Sequence, residues 1–136
     1  MEAALTGDPM NQRQDFDRAP HNRARGNSAE ECAAAWLAEH GYTVVERNVR
    51  TAAGELDVVA RDGDTLCFIE VKARAGVQYG LAIEAVDRRK QRRIARAASL
   101  YLAFKPYPGP CRFDVLGLDP APDGWEYTLI RNAFEL

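Results

Sequence analysis

Gly54-Glu55-Leu56-Asp57-Val58-Val59-Ala60-Arg61-Asp62-Gly63-Asp64-Thr65-Leu66-Cys67-Phe68-Ile69-Glu70-Val71-Lys72 reads as two β-strands joined by a tight turn. β-Branched and aromatic residues dominate both runs, and Asp62-Gly63 between them is a strong two-residue hairpin signal. With Asp62-Gly63 as the turn, Arg61 pairs with Asp64, Asp57 with Phe68 and Glu55 with Glu70. Opposed residues share a face, as do residues two apart on one strand. Glu55, Asp57, Glu70 and Lys72 therefore project from one side, with Asp57 and Glu70 as diagonal neighbours roughly 5–8 Å apart at Cβ. Leu56, Val58, Cys67, Ile69 and Val71 project from the other side into a core. Phe68 and Val59 share the charged face, which suggests a partly covered cleft.

Charge inside a strand needs a reason. Several carboxylates at this spacing repel and raise one another's pKa, and a bound divalent cation removes that cost. Hard oxygen donors suit Mg²⁺ or Mn²⁺, which take one or two carboxylates plus water and substrate phosphate. The carbonyl of Val71 is a further donor. Lys72 beside such a metal could position an attacking water or stabilise charge on a phosphate, the chemistry of phosphodiester hydrolysis. The plainer alternative is a solvated sheet face with cross-strand Glu/Lys pairs.

Outward from the hairpin, the order is α-β-β-β-α-β-β. Residues 1–25 are polar and mixed in charge, which predicts a flexible tail, followed by a single domain over 26–136. Ser28-Ala29-Glu30-Glu31 has the form of a capping box with Ser28 as N-cap. Cys32, Ala33, Trp36, Leu37 and His40 follow as an apolar stripe, and Gly41 ends the helix. Glu30 in the first turn also suits the helix dipole. Residues 42–49 form a strand. Asp87 is the expected N-cap of a long helix to about Phe104, with Ile94, Ala97, Ala98, Tyr101 and Leu102 as its buried stripe. Residues 112–118 form a strand, Pro120 to Gly124 a turn, and Trp125 to Ile130 an edge strand. A long helix between two strands implies a crossover, and with it a mixed sheet covered by helices.

The chain of 136 residues with net charge −2 is of one-domain size. Its cations are unevenly placed. Arg88, Arg89, Lys90, Arg92 and Arg93 crowd the start of the long helix, where the dipole disfavours them. A phosphate backbone would explain them; otherwise they form a solvated face. The three cysteines lack metal-knuckle spacing and read as small buried hydrophobes in a reducing, cytoplasmic setting. No stretch is apolar enough to span a membrane.

Asp57 followed by Glu70-Val71-Lys72 on the next strand resembles the PD-(D/E)xK nuclease core, although no proline precedes Asp57. Gly26…Glu30, Arg47-Asn48-Val49-Arg50, Gly54-Glu55-Leu56-Asp57-Val58-Val59, Phe68-Ile69-Glu70-Val71-Lys72-Ala73-Arg74, Gly80, Lys90 and Arg112-Phe113-Asp114-Val115 resemble the YraN-like bacterial family over about residues 24–118. That family is similar to Holliday-junction resolvases. The resemblance implies an α/β restriction-endonuclease-like fold, with a mixed central sheet of about five strands flanked by helices. It implies a Mg²⁺- or Mn²⁺-dependent endonuclease acting on DNA, with branched and repair intermediates among its candidate substrates. Asp57 and Glu70 match the metal-binding acids, and Lys72 matches the catalytic lysine. Glu30 matches an acid brought to the metal from the first helix, and Glu55 is an auxiliary acid. The basic helix and Arg74 would carry nucleic acid. A homodimer is implied because both strands of a junction must be cut. The alternative function is a nucleic-acid-binding protein that keeps the fold without turnover.

Overall fold

A computed structural model describes residues 21–73 and 86–135, with side chains from residue 29 onward. Two helices and five strands follow in the order α1 (His21–Glu39), β1 (Thr43–Thr51), β2 (Gly54–Asp62), β3 (Thr65–Ala73), α2 (Arg88–Phe104), β4 (Cys111–Ala121) and β5 (Gly124–Ile130). The strands make one sheet in the order β1-β2-β3-β4-β5. Only β3 and β4 run parallel, and α2 is the connection between them. The result is the expected mixed α/β sheet with β5 at an edge, an architecture consistent with the restriction-endonuclease-like fold. The chain divides into two compact units, Met1–Glu31 and Cys32–Leu136.

The first helix, described over His21–Glu39, includes Ser28, so the predicted cap lies inside the helix rather than at its start. Residues 1–20 and 74–85, the latter with the candidate nucleic-acid contact Arg74 and the motif residue Gly80, lie outside the described residues. Gly41, at φ +97, ends α1 as expected. The second helix starts where predicted: Asp87 has an extended backbone and its carboxylate accepts from Lys90 N at 2.9 Å.

The β2–β3 turn differs from the prediction by one step. Asp62 pairs with Thr65, so Gly63-Asp64 is the turn and the partner of every β2 residue shifts by two. Gly63 has φ +64 whereas Asp64 has no positive φ. That pattern fits a turn with glycine at its first central position. Asp62 stays in the ladder, where its carboxylate accepts from Arg112 Nη2 at 2.9 Å.

One face of the sheet packs on α2. Leu66, Phe68, Val59 and Val115 meet Ile94, Ala97, Ala98 and Tyr101 in a buried cluster. Phe68 meets Tyr101 edge-on, with ring centroids 5.9 Å apart, and is 1% exposed. A side chain so buried contributes about 1.5–3 kcal/mol. Leu56 joins this cluster rather than the opposite face. Strict alternation fails around Asp57, and across from it Asn48, between the pairs Arg47↔Val58 and Val49↔Leu56, takes a left-handed φ of +54. The other face buries Val58, Ala60, Cys67, Ile69, Leu116 and Leu118, together with Ala33 and Leu37 of α1. Trp36 stacks on Tyr127 of β5 there, with ring centroids 5.3 Å apart.

Cys67 is a buried hydrophobe as expected, and burial pushes its thiol up to about 12. Cys111 is exposed instead, because it opens β4 beside the proline-rich connector.

Candidate active site

The two acids that match nuclease ligands come together where the β2–β3 ladder stops. Regular pairing ends at Val58↔Ile69. At the next step the Asp57 carboxylate accepts a hydrogen bond from the backbone amide of Val71, with Oδ2 at 2.8 Å. The side chain replaces a ladder partner and is thereby fixed against the Glu70–Val71 peptide. Such a bond to a carboxylate is stronger than a neutral one.

Glu70 is buried, at 6% exposure, on the face that packs on α2. A lone carboxylate there would carry a large desolvation cost. Lys90, in the first turn of α2, meets it: Nζ lies 2.9 Å from Oε2. Lys72 lies two residues beyond Glu70 on β3 and is half-buried. Its partner on β4 is Gly117, which puts no side chain beside it.

The expected four-residue cluster is not formed as drawn. Glu55 is exposed and faces Arg50 across the β1–β2 ladder, with Nε 3.9 Å from Oε2. The two-residue register shift removes its pairing with Glu70. Glu30 lies on the part of α1 that belongs to the first unit. Among the described residues no group of three or more His, Cys, Asp or Glu could hold a metal ion. Asp57, Glu70 and the Val71 carbonyl are hard oxygen ligands of the kind that Mg²⁺ or Mn²⁺ takes alongside several waters. They do not make an all-protein cage.

Arg88, Arg89, Arg92 and Arg93 are exposed along α2. The Arg93 stem covers Gly54 at the β1–β2 hairpin, where an added Cβ would sit 3.4 Å from Arg93 Cγ. Its guanidinium is thus held near the mouth of that hairpin while its methylenes cover backbone. Lys90, expected as a phosphate contact, is the helix cation turned inward.

A second polar cluster escaped the sequence reading. Asp114 is completely buried on the face opposite α2. It accepts from Tyr42 Oη at 2.9 Å, Arg112 Nε at 2.8 Å and Asn132 N at 2.8 Å. Arg112 also reaches Asp62, and Arg131 Nε lies 3.4 Å from the same carboxylate. The Arg112 guanidinium holds the Asp62 carboxyl below its usual range. Burial, then the bond to Asp114, pushes the Tyr42 phenol up to about 12. An acid within the apolar run Phe113-Asp114-Val115-Leu116, with Arg112 on the same face, was the available signal. This cluster ties β4 to the β2–β3 turn, the α1–β1 junction and the residues after β5.

A profile for the uncharacterised protein family UPF0102 matches residues 29–118. The chain belongs to that family. UPF0102 proteins of Symbiobacterium thermophilum, Syntrophus aciditrophicus and Chromohalobacter salexigens are similar to it. The first is 50% identical over 115 residues, covering 83% of this chain and 98% of the relative. The second is 43% identical over 120 residues, covering 88% and 94%. The third is 43% identical over 114 residues, covering 84% and 93%. UPF0102 is the YraN-like group that the motifs resemble, and its matched span contains Asp57, Glu70, Lys72 and Lys90. Among the described residues no helix is long and apolar enough to cross a membrane.

Proposed function

We propose that this UPF0102 protein is a divalent-metal-dependent endonuclease that hydrolyses phosphodiester bonds in DNA, with branched and repair intermediates as its candidate substrates. The observation that carries the reading is the Asp57 carboxylate held on the Glu70–Val71 amide, beside a buried Glu70 and with Lys72 next along the strand. Asp57, Glu70 and the Val71 carbonyl would hold Mg²⁺ or Mn²⁺. When bound, the ion supplies Lewis acidity and a water acidified towards neutrality. Lys72 orients the attacking water and offsets charge on the phosphate. The exposed arginines of α2 hold the nucleic-acid backbone in register.

The test is cleavage of four-way junction, duplex and single-stranded DNA with Mg²⁺ or Mn²⁺, in the wild type and in Lys72→Met. Metal-dependent cutting that Lys72→Met lacks supports the proposal. No cutting of any substrate, or equal cutting by the variant, defeats it.

A second reading is a non-catalytic nucleic-acid-binding protein. It is favoured by the Glu70–Lys90 pair, which neutralises the buried acid without any metal. It expects salt-sensitive binding that survives Asp57→Ala and is lost when the α2 arginines are neutralised.

A further inference from the structure

Lys90 is in an unfavourable place for a cation. It lies in the first turn of α2, where the amide dipoles present positive charge, and its own backbone N is bonded to the N-cap Asp87. Its neighbours Arg88 and Arg89 extend into solvent. Lys90 turns inward, and its side chain is only 29% exposed. What compensates is Glu70, whose Oε2 lies 2.9 Å from Nζ and whose side chain is 7% exposed. The ammonium therefore occupies an oxygen that a metal ion would use. Asp57 and Glu70 formally bring two negative charges to the site, and Lys72 and Lys90 bring two positive ones. A divalent ion entering that balanced site leaves two positive charges in excess, and in a partly dry site such an excess is costly.

We propose that Lys90 is the resident counter-ion of this site: it holds Glu70 while the metal is absent, competes with the metal for it, and is released to a phosphate when metal and nucleic acid bind together. The inference rests on the nuclease reading of Asp57 and Glu70. It assigns to Lys90 the coupling between metal and substrate. A metal ion alone meets a site whose ligand is engaged and whose charge is balanced. A phosphate arriving with it supplies the missing negative charge and a new partner for the freed ammonium. Metal and nucleic acid then raise each other's affinity by the same factor, as linkage requires.

Calorimetric titration of Mn²⁺ tests this in the wild type, Lys90→Met and Lys90→Gln, each with and without a phosphorothioate DNA duplex. In the wild type the duplex tightens Mn²⁺ binding by about 5-fold or more, the low end of ordinary coupling. In the variants Mn²⁺ alone binds tighter than in the wild type by a similar factor, and the duplex adds little. Circular dichroism identifies a variant that has not folded, and the wild-type comparison with and without duplex stands on its own. The proposal is overturned if Mn²⁺ binds the wild type equally well with and without duplex. Equal or weaker Mn²⁺ binding in a folded variant overturns it too. Both of those outcomes leave the metal site intact. If no protein binds Mn²⁺ in any condition, the nuclease reading falls and this inference falls with it.

Discussion

Tyr42 and Asp114 lie 72 positions apart in sequence, yet the phenol donates to the buried carboxylate at 2.9 Å. Asp114 has no exposed surface, so its charge depends on the donors around it, above all Arg112. Removing that guanidinium leaves an uncompensated buried charge. Arg112→Met is expected to cost about 3–5 kcal/mol, and Tyr42→Phe about 2 kcal/mol, as for a bond to a charged group. Urea denaturation measures both, and the larger loss must fall on Arg112→Met.

The same phenol sets an alkaline limit. Tyr42 and Tyr101 are both pushed up to about 12, first by burial and then by bonds to Asp114 and Glu46. A group that binds its proton more tightly when folded contributes stability below its unfolded pKa, near 10 for tyrosine. That contribution is lost as pH rises through the folded value. Stability should therefore fall between about pH 10 and 12, with tyrosinate absorbance rising together with unfolding. In Tyr42→Phe the fall should be shallower.

Asp57 has a structural and a chemical role that substitution can separate. Asparagine keeps an acceptor for the Val71 amide, and alanine does not. Asp57→Ala should lose about 1–3 kcal/mol through the unpaired amide, while Asp57→Asn stays near the wild type in stability. Mn²⁺ affinity should drop in both. Retained affinity in Asp57→Asn would remove Asp57 from the metal site.

Lys72 faces Gly117, which has no side chain, across the parallel ladder. Lys72→Met should leave the melting temperature nearly unchanged and lower cleavage by about 10²–10³-fold, the usual cost of removing one group that stabilises charge at the reacting centre. A similar loss of stability and activity would make the lysine structural.

Gly63 has open space around a built Cβ, so only backbone conformation opposes a side chain there. Gly63→Ala should destabilise by about 1–2 kcal/mol, the cost of a left-handed residue. A neutral result would mean that the turn does not need a positive φ at this position.

Strand alternation made the central hairpin, the crossover helix and the stripe Ile94-Ala97-Ala98-Tyr101 readable from the chain. The Asp87 cap was equally plain. The turn register was less so, because Asp62-Gly63 and Gly63-Asp64 are both acceptable turns locally. The choice between them came from Arg112, 50 residues away, which holds Asp62. The left-handed backbone of Asn48 and the break of alternation that puts Leu56 on the α2 face were hidden in the same way. For the site, pattern put Asp57 diagonally across from Glu70, which the bond from the Val71 amide to the Asp57 carboxylate matches. The partner of Glu70 depends on how far α2 slides along the sheet. No spacing rule records that.

Asn48 also has a consequence at the margin of the sheet. β1 is an outer strand, and outer strands offer unpaired amides and carbonyls to other chains. Here the offer is interrupted twice, by the register slip between Val44 and Glu46 and by the left-handed turn at Asn48. A foreign strand could not zip along this border for more than a few residues. β5 has no such interruption from Gly124 to Ile130. Among the described residues the two borders are therefore unequal, and a strand-to-strand encounter between copies finds its regular side at β5.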